Sequence, residues 1–258
     1  MVQYILLTLH SIIFIMEESY RSKYLSLENY HWWFKARRDM IFKLLKRENK
    51  NSHILDAGCS GGALVTYLHK KNFKHIYGID IDHKSIEHCN NNGLDNVFLM
   101  NCTELMFDDE SFDIVICSDV LEHVSNDVTA LKEFNRVLKP NGIIILFVPA
   151  FNFLWSVHDQ TNRHYRRYVS NDLICKLRAN GFKIEKSTYW NVILFMPILI
   201  MRKLTFLFKN KKDDQLYEFD SLLNSILTNI LKFENAILQM VSSPVGVSVL
   251  IVARKKYQ

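Results

Sequence analysis

The chain has 258 residues, of which 48% are hydrophobic and 23% are charged, and its formal net charge is +5. This length and apolar content predict one large domain, or one domain with a modest appendage. The mild net charge, with both signs spread along the chain, argues against nucleic acid as a partner, because nucleic-acid binding calls for a basic face with stacking aromatic rings.

The cysteines show no C-x-x-C pair and no metal-ligand spacing with the histidines. There are five of them: Cys59, Cys89, Cys102, Cys117 and Cys175. We therefore expect free thiols in a reducing cytoplasm, and no metal site.

Residues 1–15 are almost entirely apolar. The run is too short for a membrane span, which needs about 20 residues, and it lacks the basic start and the cleavage site of a signal peptide. We expect an apolar extension ahead of a natural start at Met16; a short helix on a membrane surface is the alternative. Residues 16–50 read as helical sequence, which we expect to form an N-terminal lid.

A nucleoside site is predicted where an apolar run ends in an acid and a cluster of glycines, at residues 54–62. Glycine lets bare backbone approach a ligand and adopts positive φ without strain. A second apolar segment ends in Asp80, 22 positions after Gly58. A carboxylate there suits both ribose hydroxyls of a nucleoside at the carboxyl ends of parallel strands.

Strand-like and helix-like segments alternate through the rest of the chain, which predicts a parallel sheet with helices on both faces. The predicted strands are 53–57, 75–80, 96–100, 112–117, 143–149, 182–190 and 245–253, and the predicted helices are 61–71, 83–92, 126–138 and 170–180.

Four motifs in order resemble the class I S-adenosylmethionine-dependent methyltransferases: residues 54–62, Asp80, 112–124 and 136–148. The resemblance implies a Rossmann-like α/β fold with a seven-stranded, mostly parallel sheet, whose last strand inserts antiparallel between the fifth and sixth. The core would comprise 51–190 and 244–258, with a helical insertion at 191–243. S-adenosylmethionine is the implied cofactor.

The resemblance also implies the residues that bind the cofactor. They are Asp56, Gly58, Ser60, Gly62, Asp80, Ile81, Cys102, Thr103 and Ser118, together with Arg37 or Arg38. Ser60 stands at the middle glycine position of the motif, and Cys102 stands where the family has an aspartate that accepts from adenine. Because a thiol is a poor acceptor, we expect the backbone of Cys102 or Thr103 to make the adenine contact.

Residues 31–41 begin with four consecutive ring-bearing side chains, which cannot share one face of a helix. Either the helix packs on the sheet, or it covers the cofactor and an arginine binds the methionine carboxylate through its guanidinium fork. The segment resembles the lead-in of a methyltransferase subgroup associated with glycan and lipid-linked sugar assembly, and that of quinone-pathway methyltransferases. Either Arg37 or Arg38 suits the arginine role.

The methyl acceptor is expected at residues 149–168, after the fifth strand, because open α/β sheets place their chemistry at the carboxyl ends of strands. His158 and His164 are the candidate catalytic bases, since a histidine titrates near neutral pH. Tyr165, Arg166 and Arg167 are the candidate substrate-binding residues. The same subgroup carries a similar loop.

Residues 192–212 combine an apolar run with basic residues. The segment either covers the mouth of the active site or an oligomer face, or lies on a membrane surface as an interfacial helix. A second amphipathic stretch follows at 216–240. The oligomeric state stays open.

We expect a cytoplasmic methyltransferase that methylates oxygen on a sugar, a lipid-linked glycan or a quinone-like lipid. An interfacial helix at 192–212 would make it a peripheral membrane protein. N-methylation of a small amino compound is the alternative reaction. A protein that binds the cofactor without catalysis, as a partner of another protein, is the alternative from a different class.

Overall fold

The computed structural model describes residues 18–207 and 218–257. The proposed extension at 1–15 and the start at Met16 lie outside these ranges. The strands are β1 (His53–Ala57), β2 (His75–Asp80), β3 (Val97–Leu99), β4 (Phe112–Ser118), β5 (Leu138–Pro149), β6 (Phe182–Trp190) and β7 (Ser248–Lys255). The helices are α1 (Glu18–Glu28), α2 (Trp32–Leu45), α3 (Ala63–His69), α4 (His83–Asn91), α5 (Asp127–Val137), α6 (Val157–Thr161), α7 (Ser170–Ala179), α8 (Phe195–Leu207) and α9 (Ser221–Met240).

The strands form one seven-stranded sheet in the order β3-β2-β1-β4-β5-β7-β6. Strands β1 to β5 pair in parallel, and β7 pairs antiparallel with both β5 and β6. The predicted Rossmann-like sheet, with its antiparallel last strand and its helical insertion between β6 and β7, is therefore confirmed.

Two strand boundaries differ from the prediction by more than two residues. Strand β5 begins at Leu138 rather than at 143, because Leu138 already pairs with Phe112 before the register shifts and Ile143 pairs with Ile114. Residues 140–142, which precede the predicted strand, therefore form an irregularity within β5. Strand β7 begins at Ser248, three residues later than predicted.

Each face of the sheet buries its own apolar cluster. Residues such as Leu131, Phe134 and Leu173 pack α5 and α7 on one face. On the other face, Met40 of α2 and Leu231 of α9 pack against the sheet. The lead-in segment and the insertion, which are far apart in the sequence, therefore share one layer.

Buried amides join these two segments. Asn224 of α9 accepts from the Trp32 N–H at 2.7 Å and donates to the Tyr30 carbonyl at 2.8 Å. Asn235 donates to the Ala36 carbonyl and accepts from the indole N–H of Trp190, both at 2.8 Å. These bonds fix α9 of the insertion to α2 and to Trp190 at the end of β6.

None of the helices within 18–207 and 218–257 is both long enough and apolar enough to cross a membrane. The segment proposed as interfacial, 192–212, extends beyond the described residues. Its described part forms α8, with Pro197 in the first turn, where a proline costs no hydrogen bond.

Candidate active site

A cavity of about 1810 Å³ lies at the carboxyl ends of the parallel strands. Gly58, Asp80, Ser118 and Pro149, which follow or end four different strands, all line it. The lead-in helices and the insertion supply the opposite wall, including Trp33. Open α/β sheets bind ligands at this edge, so the cavity is the candidate active site.

The loop after β1 has a backbone that only certain residues tolerate. Gly58 has φ +90°, and a Cβ built there would lie 2.2 Å from Cγ2 of Val120. Ser60, at the motif's middle glycine position, has φ +47°, a left-handed conformation that is uncommon for a residue with a side chain. The N–H groups of Gly58 and Cys59 both donate to the Ile79 carbonyl, at 2.8 and 2.9 Å. The loop is thereby tied to β2.

The carboxylate of Asp80 orders this loop while lining the cavity. Oδ2 accepts from the Ser60 N–H and Oδ1 accepts from the Asp82 N–H, each at 2.9 Å. Burial raises the pKa of Asp80, and these backbone donors partly oppose the shift. A carboxylate has about four lone-pair sites, so capacity for ribose hydroxyls is left at both oxygens.

The predicted adenine end is also at the cavity. Ile81, Cys102 and Thr103 all line it. Burial raises the pKa of the Cys102 thiol to about 12, which keeps the sulfur neutral. The Thr103 N–H already donates to Oδ1 of Asn101 at 3.0 Å, so its backbone donor is occupied inside the protein.

Two predicted cofactor residues, Asp56 and Gly62, lie behind the loop rather than in the cavity wall. Asp56 is buried, and burial together with the charge of Asp80 raises its pKa to about 7. Gly62 has φ +77° and immediately precedes α3. Both residues therefore belong to the structure that supports the loop and do not contact the cavity.

The structure separates Arg37 from Arg38. The Arg37 guanidinium donates to Asp119 Oδ2 at 2.6 Å and to the hydroxyls of Ser118 and Ser248, each at 3.1 Å. It lies 4.2 Å from the ring centroid of Phe147. Although Arg37 does not line the cavity, its partners Ser118, Asp119 and Ser248 do.

Arg38 points elsewhere. It donates to the backbone carbonyls of Glu28 and Asn29, at 2.7 and 3.2 Å, and so fixes the turn between α1 and α2. It does not line the cavity. Arg37 therefore bonds directly to residues of the cavity wall, whereas Arg38 does not.

Sequence reasoning missed Glu28, a residue of α1 whose side chain contacts the glycine loop. Its Oε2 accepts from the Gly61 N–H at 3.1 Å. Burial raises the pKa of Glu28 to about 8, although the charge of Arg38 opposes the shift. No local pattern marks this residue, because the contact joins segments 33 positions apart.

The acceptor end of the cavity is organised by Asp159, whose side chain is fully buried. It accepts from His164 Nδ1 at 2.8 Å and from Arg167 through Nε and Nη2, at 2.8 and 2.9 Å. Burial alone would raise the pKa of Asp159, but His164 and Arg167 hold it well below the usual range. Asp159 also closes a capping box with Ser156 on α6, a sequence signal that was overlooked.

The other predicted acceptor residues separate into two groups. His158, His164, Tyr165 and Arg167 line the cavity. Arg166 does not; it donates to the Ser125 carbonyl at 2.6 Å and pairs with Asp127 at 3.1 Å. Arg166 therefore anchors the loop to the start of α5.

The fold also brings together three potential metal ligands that the sequence spacing did not reveal. The ligand atoms of Glu122, His123 and His164 lie within 4.8 Å of one another. Burial, followed by the charge of Asp119, raises the pKa of Glu122 well above its usual value, and burial lowers that of His123 to about 3. Both side chains are thus held in their neutral forms.

Comparison with known proteins places this geometry in a family. Residues 55–146 match the sequence model of a family described as a methyltransferase domain. An uncharacterized protein of Methanocaldococcus jannaschii is 33% identical over 165 residues, which cover 62% of this chain and 68% of that protein. The ubiquinone biosynthesis O-methyltransferase of Rickettsia conorii is 31% identical over 109 residues, 41% of this chain but 37% of that enzyme.

The solved structures agree on the fold. An S-adenosylmethionine-dependent methyltransferase from Mesorhizobium loti superposes with a TM-score of 0.57 at 15% identity, over 83% of this chain and 96% of that one. Asp80 and the loop at 58–60 fit the nucleoside of the cofactor, because a carboxylate and bare backbone line the cavity there. The chain therefore belongs to the class I S-adenosylmethionine-dependent methyltransferases.

Proposed function

We propose that this chain transfers a methyl group to a hydroxyl of a quinone-like lipid, with sugar or lipid-linked glycan hydroxyls as the other acceptors of the same class. The pairing of His164 with Asp159 at the acceptor end of the cavity carries the proposal. The named relatives support it in part, since ubiquinone biosynthesis O-methyltransferases are 31–34% identical over parts of this chain.

A hydroxyl must lose its proton as the methyl group arrives, and His164 is placed to remove it. When His164 donates Nδ1–H to Asp159, the remaining ring nitrogen, Nε2, is an acceptor. The buried carboxylate fixes this tautomer and stabilises the imidazolium that forms after proton removal. His158 lies beside it, with ring centroids 5.9 Å apart, as the second candidate base.

S-adenosylmethionine, when bound, supplies the methyl group on a sulfonium. The contribution of the chain is positioning: Asp80 binds the nucleoside, Arg37 holds Ser118 and Asp119 in the cavity wall, and the loop at 149–168 presents the acceptor. Holding the reacting atoms at near-attack distance lowers a barrier by about 7–11 kcal/mol.

The test is methyl transfer from labelled cofactor to a soluble quinol, with mass spectrometry of the product. We expect His164→Gln to lower kcat about 10²- to 10⁴-fold, since this is the typical contribution of a general base. His158→Gln should have the smaller effect, and His69→Gln, an exposed histidine on α3, is the matched control. Binding of S-adenosylhomocysteine should be unchanged in all three.

Full turnover in both His164→Gln and His158→Gln would show that neither histidine is the base. A product methylated on nitrogen would favour the alternative, N-methylation of a small amino compound. The buried Oε2 of Glu122, which has no hydrogen-bond partner among the described residues, supports that alternative because an amine would donate to it.

A further inference from the structure

We infer that Arg202, on the helical insertion, binds an anionic oxygen group of the methyl acceptor, and that the acceptor is an amphiphile whose apolar part lies against the same helix. The inference rests on the proposed function, because it assigns the second ligand of the proposed active site. The shared chemistry of the anionic group is that of a phosphate or a carboxylate.

Arg202 of α8 is a cation at the cavity. It lines the cavity, and its Nη1 donates to the Leu154 carbonyl at 2.6 Å. Its Nε is buried and has no hydrogen-bond partner among residues 18–207 and 218–257. In the part of the chain that the structure describes, no carboxylate lies within ion-pair distance of it. Removing such a charge from water without a partner is costly, and an anionic ligand would offset that cost.

The nearest acid is already occupied. Asp159 accepts two hydrogen bonds from Arg167, one from His164 and one from the Ser156 N–H. These donors account for the lone pairs of one carboxylate. Arg202 adds a positive charge to a corner where the existing negative charge is already paired with Arg167.

The pKa values point the same way. Burial, followed by the charge of Arg167, lowers the pKa of Arg202 to about 9, and Asp159 only partly opposes the shift. The acceptor end therefore carries an excess of positive charge, which a bound anion would balance.

The wall next to Arg202 is apolar. The insertion and its flanks contribute Leu194, Pro197, Ile198, Met201 and Leu227 to the cavity lining. A hydrocarbon segment that binds there is stabilised because its apolar surface is removed from water. A charged head beside a hydrocarbon segment is the ligand that this combination recognises.

Arg166 and Arg167, the candidate substrate-binding arginines, are both already paired. Arg166 pairs with Asp127 and Arg167 pairs with Asp159, so both guanidinium groups are held by acids of the protein. Arg202 has no such acid within the described residues and remains able to meet a ligand.

The experiment is calorimetric titration of hexyl phosphate into the full chain saturated with S-adenosylhomocysteine. We expect hexyl phosphate to bind at least tenfold more tightly than hexyltrimethylammonium, and Arg202→Gln to weaken it at least tenfold. Arg202→Lys keeps the charge but lacks the planar guanidinium fork, so its affinity for hexyl phosphate should lie between those of the unaltered chain and Arg202→Gln. Arg254→Gln, near the end of β7 and paired with Glu185, is the matched control and should bind normally.

Parallel titrations with hexanoate and inorganic phosphate show whether the site prefers a carboxylate or a phosphate. They also show how much of the affinity comes from the hexyl chain. Equal binding of hexyl phosphate by the unaltered chain and by Arg202→Gln would overturn the inference, as would no preference over hexyltrimethylammonium. Unchanged affinity for S-adenosylhomocysteine shows that each variant is folded. Because His164→Gln should still bind hexyl phosphate, failure of the proposed reaction and failure of this anion site are distinguished.

Discussion

The two ends of the cavity are built in different ways. At the cofactor end, backbone groups that follow β1 and β2 lie around one carboxylate, Asp80, which accepts hydrogen bonds from the N–H groups of Ser60 and Asp82. At the acceptor end, side chains from α6, the loop at 162–168 and α8 meet around Asp159. The first end depends on strand geometry, and the second on a buried network of charges that forms only when the chain is folded.

The largest expected effect is on the acceptor network. Asp159→Asn removes the charge that pairs with buried Arg167, and leaving one member of a buried pair uncompensated costs about 3–5 kcal/mol of the free energy of unfolding. We expect thermal denaturation to show this loss while affinity for S-adenosylhomocysteine stays within about twofold, since Asp80 and its loop are untouched. Asp172→Asn, an exposed acid on α7, is the control.

The same variant should also change how the free energy of unfolding depends on pH. Because the folded pKa of Asp159 lies below its unfolded value, its ion pairs contribute stability at neutral pH that is lost as the pH falls through the acidic range. Asp159→Asn should lack that part of the acid dependence. Equal stability of the two proteins at neutral pH would show that the network does not organise this end.

The next effect is on the cofactor end. Asp80→Ala removes the expected acceptor of the ribose hydroxyls, and one hydrogen bond to a charged group is worth about 1.5–3 kcal/mol. The dissociation constant of S-adenosylhomocysteine should therefore rise about 10- to 150-fold, measured by calorimetry. Asp95→Ala, an exposed acid ahead of β3, should change nothing. Unimpaired binding by Asp80→Ala would remove the basis for the nucleoside site.

The smallest expected effect concerns Glu28, which links α1 to the glycine loop. Its folded pKa of about 8 is above the unfolded value of 4.5, so the folded state holds the proton more tightly. The stability contributed by Glu28 is complete below the unfolded pKa and is lost as the pH rises through about 8. We expect Glu28→Gln, which keeps an acceptor for the Gly61 N–H, to flatten this decline in denaturation midpoints between pH 5 and 9.

A decline of the same steepness in Glu28→Gln would assign the pH dependence to another group. Asp56, whose pKa is also raised, to about 7, is the nearest such group. Glu87→Gln, an acid on the exposed side of α4, is the control for the loss of one negative charge.

The sequence by itself determined the sheet and the cofactor end. Strand patterns, the glycine cluster and Asp80 depend on local periodicity and on backbone conformations such as the positive φ of Gly58, and short windows of sequence encode both. The predicted strand segments were therefore found, apart from the early start of β5 and the late start of β7. The sequence left Arg37 and Arg38 as equal candidates for contacting the cofactor, and only the structure shows that Arg37 bonds to residues of the cavity wall.

Only the tertiary structure decided which charged groups are paired. Arg37, Arg166 and Arg167 all meet acids that are distant in sequence or oriented by the fold, whereas Arg202 meets none among the described residues. A charge pattern along a chain does not say which charges become buried or which partners reach them. Pairing is set by packing, as for Arg37, which α2 carries on one face of the sheet to Asp119 at the end of β4.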